Sequence, residues 1–111
     1  MSQTLTIQLP DGLSIEMDET EWLQVASANC HHLTEKGYVD WDLIVRKHSD
    51  DRTLVYVVVK NPEGDTAATG ELLLPGTTDV ESSILRVAQQ FDLSEQVQTT
   101  CVAAFRRAIS G

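Results

Sequence analysis

The run WDLIVRKHSDDRTLVYVVVK, from Trp41 to Lys60, decides how the rest of the chain must be arranged. It divides into two strands, Trp41 to His48 and Thr53 to Lys60, joined across Ser49, Asp50, Asp51 and Arg52. The second is the most β-prone segment of the protein. Thr53, Leu54, Val55, Tyr56, Val57, Val58 and Val59 leave no polar face before Lys60. A strand apolar on both faces needs cover on both faces, which predicts a place in the middle of a sheet.

Toward the N-terminus, Leu5, Ile7 and Leu9 alternate with Thr4, Thr6 and Gln8, the period of a half-buried strand. Pro10, Asp11 and Gly12 carry turn chemistry, and Leu13, Ile15 and Met17 repeat the alternation on a return strand. Asp18 then reads as a helix N-cap, with Glu21 completing a capping box and Met17 and Trp22 forming a hydrophobic staple. The apolar stripe of this helix runs Trp22, Val25, Ala26, Leu33, with Leu23 and Cys30 at its edge, and Lys36 and Gly37 supply stop signals.

Toward the C-terminus, Asn61 to Asp65 is a turn cluster. A strand from Thr66 to Leu74 follows, in which Gly70 marks either a bulge or a close approach by another segment. Thr78 and Glu81 form another capping box ahead of Val80, Ile84, Val87, Ala88 and Phe91 at helical spacing. Ser94 caps a last helix whose stripe is Val97, Cys101, Ala104, Phe105 and Ala108. The expectation is a single α+β domain over residues 1–111: a largely antiparallel sheet of about five strands, order ββα-βββ-αα, with the helices packed on the sheet.

Seventeen acids against eight bases give a net charge of −9. Met1 to Glu35 holds six acids and no base, whereas Lys36 to Lys60 holds five bases against four acids. That balance opposes a protein that binds nucleic acid by neutralising phosphates and suits a basic protein partner. No apolar run reaches the ~18 residues of a membrane span. The first residues lack the basic region and apolar core of a signal peptide, so a cytoplasmic location with Cys30 and Cys101 reduced is expected.

Asn29-Cys30-His31-His32 invites a metal site. On the expected helix, at about 100° per residue, these ligands would diverge, and no Cys-x-x-Cys or His-x-x-x-His spacing supports them. Cys30 or Cys101 beside a histidine could form a nucleophile pair, but Cys101 falls in an apolar stripe, where thiols are inert. Asp40 and Asp42 share one face of a strand, as a solvated face also requires. The cadence of the last two helices resembles a helix-turn-helix, yet Asp92 stands where glycine is frequent and no cation precedes Arg106, which disfavours direct DNA reading.

What remains is surface chemistry. Asp11, Glu16, Glu19 and Glu21 form an acidic stretch, and Arg46, Lys47, His48 and Arg52 form a basic cluster around one turn. The sequence therefore points to a non-catalytic protein, without metal or cofactor, that binds a protein partner through these residues as a regulator, inhibitor, chaperone or immunity-type factor. Two alternatives stand beside it: a nucleic-acid-mimicking inhibitor using Glu16, Glu19 and Glu21, and a small metal or thiol site around Cys30 to His32. A homodimer would form through an uncovered sheet edge or through Phe91 and Phe105.

Overall fold

The structure, a computed structural model, describes residues 4–76 and 79–110. Six strands, β1 (Thr4–Gln8), β2 (Ser14–Asp18), β3 (Trp22–Thr34), β4 (Gly37–His48), β5 (Thr53–Lys60) and β6 (Thr66–Leu73), precede two helices, α1 (Val80–Gln90) and α2 (Glu95–Ser110). The strands form one sheet in the order β2-β1-β6-β5-β4-β3. All neighbours are antiparallel except β1 and β6, a short parallel pairing of Ile7 with Ala68 and Gln8 with Thr69. The fold is thus α+β with a mixed sheet of six strands.

The extra strand replaces the helix expected after Asp18. Asp18 does accept a backbone N–H, but from Thr20 at 2.9 Å, with the Thr20 hydroxyl donating to the same oxygen at 2.7 Å. Glu21 N donates to the Asp18 carbonyl at 3.0 Å, so the segment is a turn stabilised by an Asx contact. From Trp22 the chain is extended. Ala26, Ala28 and Cys30 point to one face of the sheet opposite Val45, Leu43 and Trp41, after a bulge between Gln24 and Ala26. Gly37, expected to end a helix, has φ 126° and closes the β3–β4 hairpin, where the Thr34 hydroxyl donates to its carbonyl at 2.7 Å.

Chain length forces the sheet to curl. β2 and β3 lie at opposite edges, which a flat sheet would separate by about five spacings of ~4.8 Å. Yet only Glu19, Thr20 and Glu21 connect them, and four Cα steps span at most about 15 Å. The edges therefore meet at the Asp18–Trp22 corner, and the sheet wraps into a cup.

Inside the cup lie Ile7, Met17, Trp22, Leu54, Tyr56 and Ala68. The outer face of the same sheet carries Ala26, Ala28, Leu43, Val45, Val55 and Val57 beneath Val80, Ile84 and Val87 of α1 and Val97, Cys101 and Phe105 of α2. β5 contributes alternately to both clusters, Leu54 and Tyr56 to one and Val55 and Val57 to the other, all essentially inaccessible. Phe105 is buried in this core, while Phe91 is half-buried. Gly70 packs directly against the β5 backbone, the second of the two roles expected for it.

Helix entries are locally specified. Asp79 caps α1, accepting from Ser82 N at 3.2 Å and from the Ser82 hydroxyl at 2.7 Å; the expected cap Thr78 lies outside the described residues. Ser94 begins α2, its hydroxyl accepting from Val97 N at 3.4 Å.

Glu71 of β6 clamps α1 to the sheet. The buried Ser83 hydroxyl donates to its carboxylate, and Arg86 donates through Nε and Nη2 at 3.1 Å each. Partial burial raises the Glu71 pKa, but the hydrogen bonds from Arg86 and Ser83 and the Arg86 charge outweigh it and hold the carboxyl below its ordinary value of 4.5. A group depressed in the folded state stabilises above its unfolded pKa and loses that contribution as pH falls through the folded pKa. Glu71→Gln is accordingly expected to cost about 1 kcal/mol at pH 7, with the deficit shrinking as the pH falls below about 4.5. Urea unfolding of both proteins at pH 7, 5 and 3.5 checks this; a deficit independent of pH would contradict it.

Candidate functional site

The basic cluster and half of the acidic stretch come together at the corner where the sheet closes. Arg46 Nε donates to the Tyr56 hydroxyl at 2.8 Å and Nη1 to the Trp22 carbonyl at 3.0 Å, while Nη2 lies 3.8 Å from Glu19. Burial raises the Tyr56 pKa, a shift that Arg46 partly opposes. His48 stacks edge-on against Trp22 at 5.0 Å between centroids, with Glu21 at 3.6 Å and Asp50 at 3.1 Å. Arg52 covers the Trp22 ring at 5.0 Å and binds Asp50 at 2.7 Å.

Lys47 contacts Asp51 at 2.6 Å, and Asp51 also accepts from Gly76 N at 3.0 Å. Both aspartates sit below their ordinary pKa. For Asp50 desolvation, the largest single effect, pushes upward, but it is outweighed by the combined hydrogen bonds and charge of Arg52 and by His48. For Asp51 the Lys47 hydrogen bond leads, followed by Gly76. Every side chain of the predicted cluster therefore already has an acidic partner, and the network ties the β2–β3 corner to the β4–β5 hairpin. Asp11 and Glu16 do not join it: Asp11 sits at the β1–β2 tip with φ 65°, and Glu16 points outward from β2.

Cys30, His31 and His32 follow strand geometry, not helix geometry. Cys30 and His32 share the face turned to the helices, and His31 points to the other side, 5.7 Å from the Tyr38 ring. Among the described residues no group of three or more His, Cys, Asp or Glu could hold a metal ion. Cys101 is fully buried, and burial pushes its thiol up to about 11. No helix among the described residues is long and apolar enough to cross a membrane. In α2, Val97, Cys101 and Phe105 pack on the sheet, and Arg106 is held by Glu81 at 2.7 Å.

The open feature is β3. It is an edge strand of 13 residues without a single Asp, Glu, Lys or Arg. Edge strands are usually protected by charge or proline, because their free N–H and C=O groups accept another strand. The opposite edge, β2, has five residues, and its outward positions include Glu16 and Asp18. Hollows follow β3 along its length. One of about 590 Å³ adjoins Leu23 and Val25, and one of about 330 Å³ lies between Ala28 and Cys30 of β3 and Ser94, Val97 and Thr100 beside and in α2. A third, of about 390 Å³, lies between Cys30, His32 and Trp41 and the α1–α2 turn at Phe91, Asp92 and Leu93.

Sequence reasoning misses this surface because Asp18, Trp22 and Gly37 fit the start, stripe and stop of a helix equally well. The detectable signal was the uncharged run itself, with Ala26, Ala28 and Cys30 at a spacing of two. Comparison with known protein families, curated proteins and solved structures finds no match to this chain.

Proposed function

We propose that this protein is a non-catalytic binding module that receives an extended segment of a basic protein partner along β3. The observation that carries it is the 13-residue, charge-free edge beside α2. Strand addition uses such an edge: backbone hydrogen bonds provide affinity, and hollows for alternate side chains provide selectivity. Past the bulge, Ala26 to Thr34 offers nine residues, a length of about 30 Å at 3.4 Å per residue. The chain's charge of −9 favours a basic segment and accelerates its arrival at low salt.

Selection from a random-peptide display library tests the proposal. The expected outcome is enrichment of basic, extended peptides whose binding weakens at least about tenfold in a Ser27→Lys/His31→Lys variant, because charges on the edge oppose strand pairing. Glu16→Lys on β2 changes the net charge equally and serves as control; it should retain most of the affinity. Enriched peptides indifferent to the edge variant, or no enrichment, would refute the assignment.

A further inference from the structure

The hollow at the far end of β3 has a chemistry of its own. Trp41 and Phe91 are half-buried and line it together, and the His32 ring lies 6.4 Å from that of Trp41. At its rim stands Asp92, in the left-handed region at φ 57°, its backbone held by Asp92 N donating to the Gln89 carbonyl at 3.1 Å. Its carboxylate has no hydrogen bond or ion pair among the described residues. The corner where it sits joins the negative end of α1 to the positive end of α2, and these partial charges offset each other, leaving the carboxylate as the local charge. No basic residue occupies the last turn of α1.

The protein already uses this combination elsewhere. At the closing corner, the Arg52 guanidinium covers the Trp22 ring while its Nε binds the Asp50 carboxylate. Tryptophan face, carboxylate and guanidinium form one unit there, combining cation–π attraction with a charge-assisted hydrogen bond. At Trp41 and Asp92 two of these components recur on a surface facing outward. We propose that the Trp41–Phe91–Asp92 hollow receives an arginine side chain of the segment bound along β3. Arginine fits better than lysine, because a flat guanidinium stacks on an indole and still donates to a carboxylate in its own plane. The inference rests on the strand-addition proposal for its source of arginine, but the hollow can be probed without any strand.

N-acetyl-arginine methylamide and its uncharged near-isostere N-acetyl-citrulline methylamide are titrated into the labelled protein, following the Trp41 and Trp22 indole N–H resonances. The arginine probe should shift Trp41 saturably and leave Trp22, already covered by Arg52, in place. Citrulline should bind about tenfold more weakly. Asp92→Asn should abolish that preference with an unchanged melting temperature, since the carboxylate supports no contact within the fold. Equal binding of the two probes, or a preference that survives Asp92→Asn, overturns the proposal. Free probes need no strand pairing, so their failure counts against the hollow alone. Peptides that ignore the edge variant count against strand addition and leave the probe result standing.

Discussion

Gly70→Ala is expected to destabilise the protein by about 3 kcal/mol or more, the upper end for overpacking a core. A Cβ at position 70 would collide with the Val55 carbonyl oxygen and lie 2.6 Å from Cα and Cβ of Tyr56. The obstacle is backbone, and it belongs to β5, which is bonded to β4 on one side and β6 on the other. Val55, Tyr56 and Val57 are buried on alternating faces, so β5 cannot retreat without disturbing both clusters at once. Small domains are stable by only about 5–15 kcal/mol, so this substitution removes a large share, and Gly70→Val should prevent folding. Gly64, where an added Cβ meets nothing but φ is 91°, makes the comparison: Gly64→Ala carries backbone strain alone, about 1 kcal/mol. Equilibrium urea unfolding of the two variants separates the cases. A Gly70→Ala cost no greater than that of Gly64→Ala would show that β6 can move away from β5.

Trp22→Ala should cost about 4 kcal/mol, the range for emptying a buried aromatic site. Trp22 is 4% exposed and fills the cup where the two sheet edges meet. Its ring supports His48 and Arg52, and its carbonyl accepts from Arg46. Removing the ring leaves a cavity and frees Arg52 from its apolar seat, while the carbonyl contact to Arg46 remains available. Arg46→Met is expected to cost less, about 2 kcal/mol, because it leaves the buried Tyr56 hydroxyl without its donor but keeps most of the side-chain volume. If Trp22→Ala instead cost under about 1 kcal/mol, closure of the cup at this corner would not contribute to holding the fold.

Much of the fold was legible because the signals were local. The β1–β2 hairpin followed from alternation and from Pro10-Asp11-Gly12, and both Asp11 and Gly12 take the positive φ that such a turn needs. β5 spans the residues its composition indicated, and Ser94 caps the helix it was expected to cap. The segment after Asp18 misled because its chemistry serves two structures. An aspartate accepting a nearby N–H caps a helix or makes an Asx turn, and Gly37 closes either a helix or a hairpin. Trp22, Val25 and Ala26 fit a helical stripe on paper, but hydrogen bonding to β4 from Trp22 to Thr34 decided the matter in favour of a strand.

The candidate site divides along the same line. Arg46, Lys47, His48 and Arg52 were visible as a cluster because they are close in sequence. Asp50 and Asp51 stand in the same turn, so their pairing with this cluster was legible too. That Glu19 and Glu21 join them became visible only once β3 paired with β4 and set Trp22 opposite His48. The amino-acid order alone determined which segments alternate, which turn, and that Thr53 to Val59 must lie inside. Tertiary structure decided which strand was left at the rim, because an edge is a property of neighbours and no residue encodes its own lack of one. It also decided the meeting of Trp41, Phe91 and Asp92, since the first two stand 50 positions apart and nothing local records that they line one hollow.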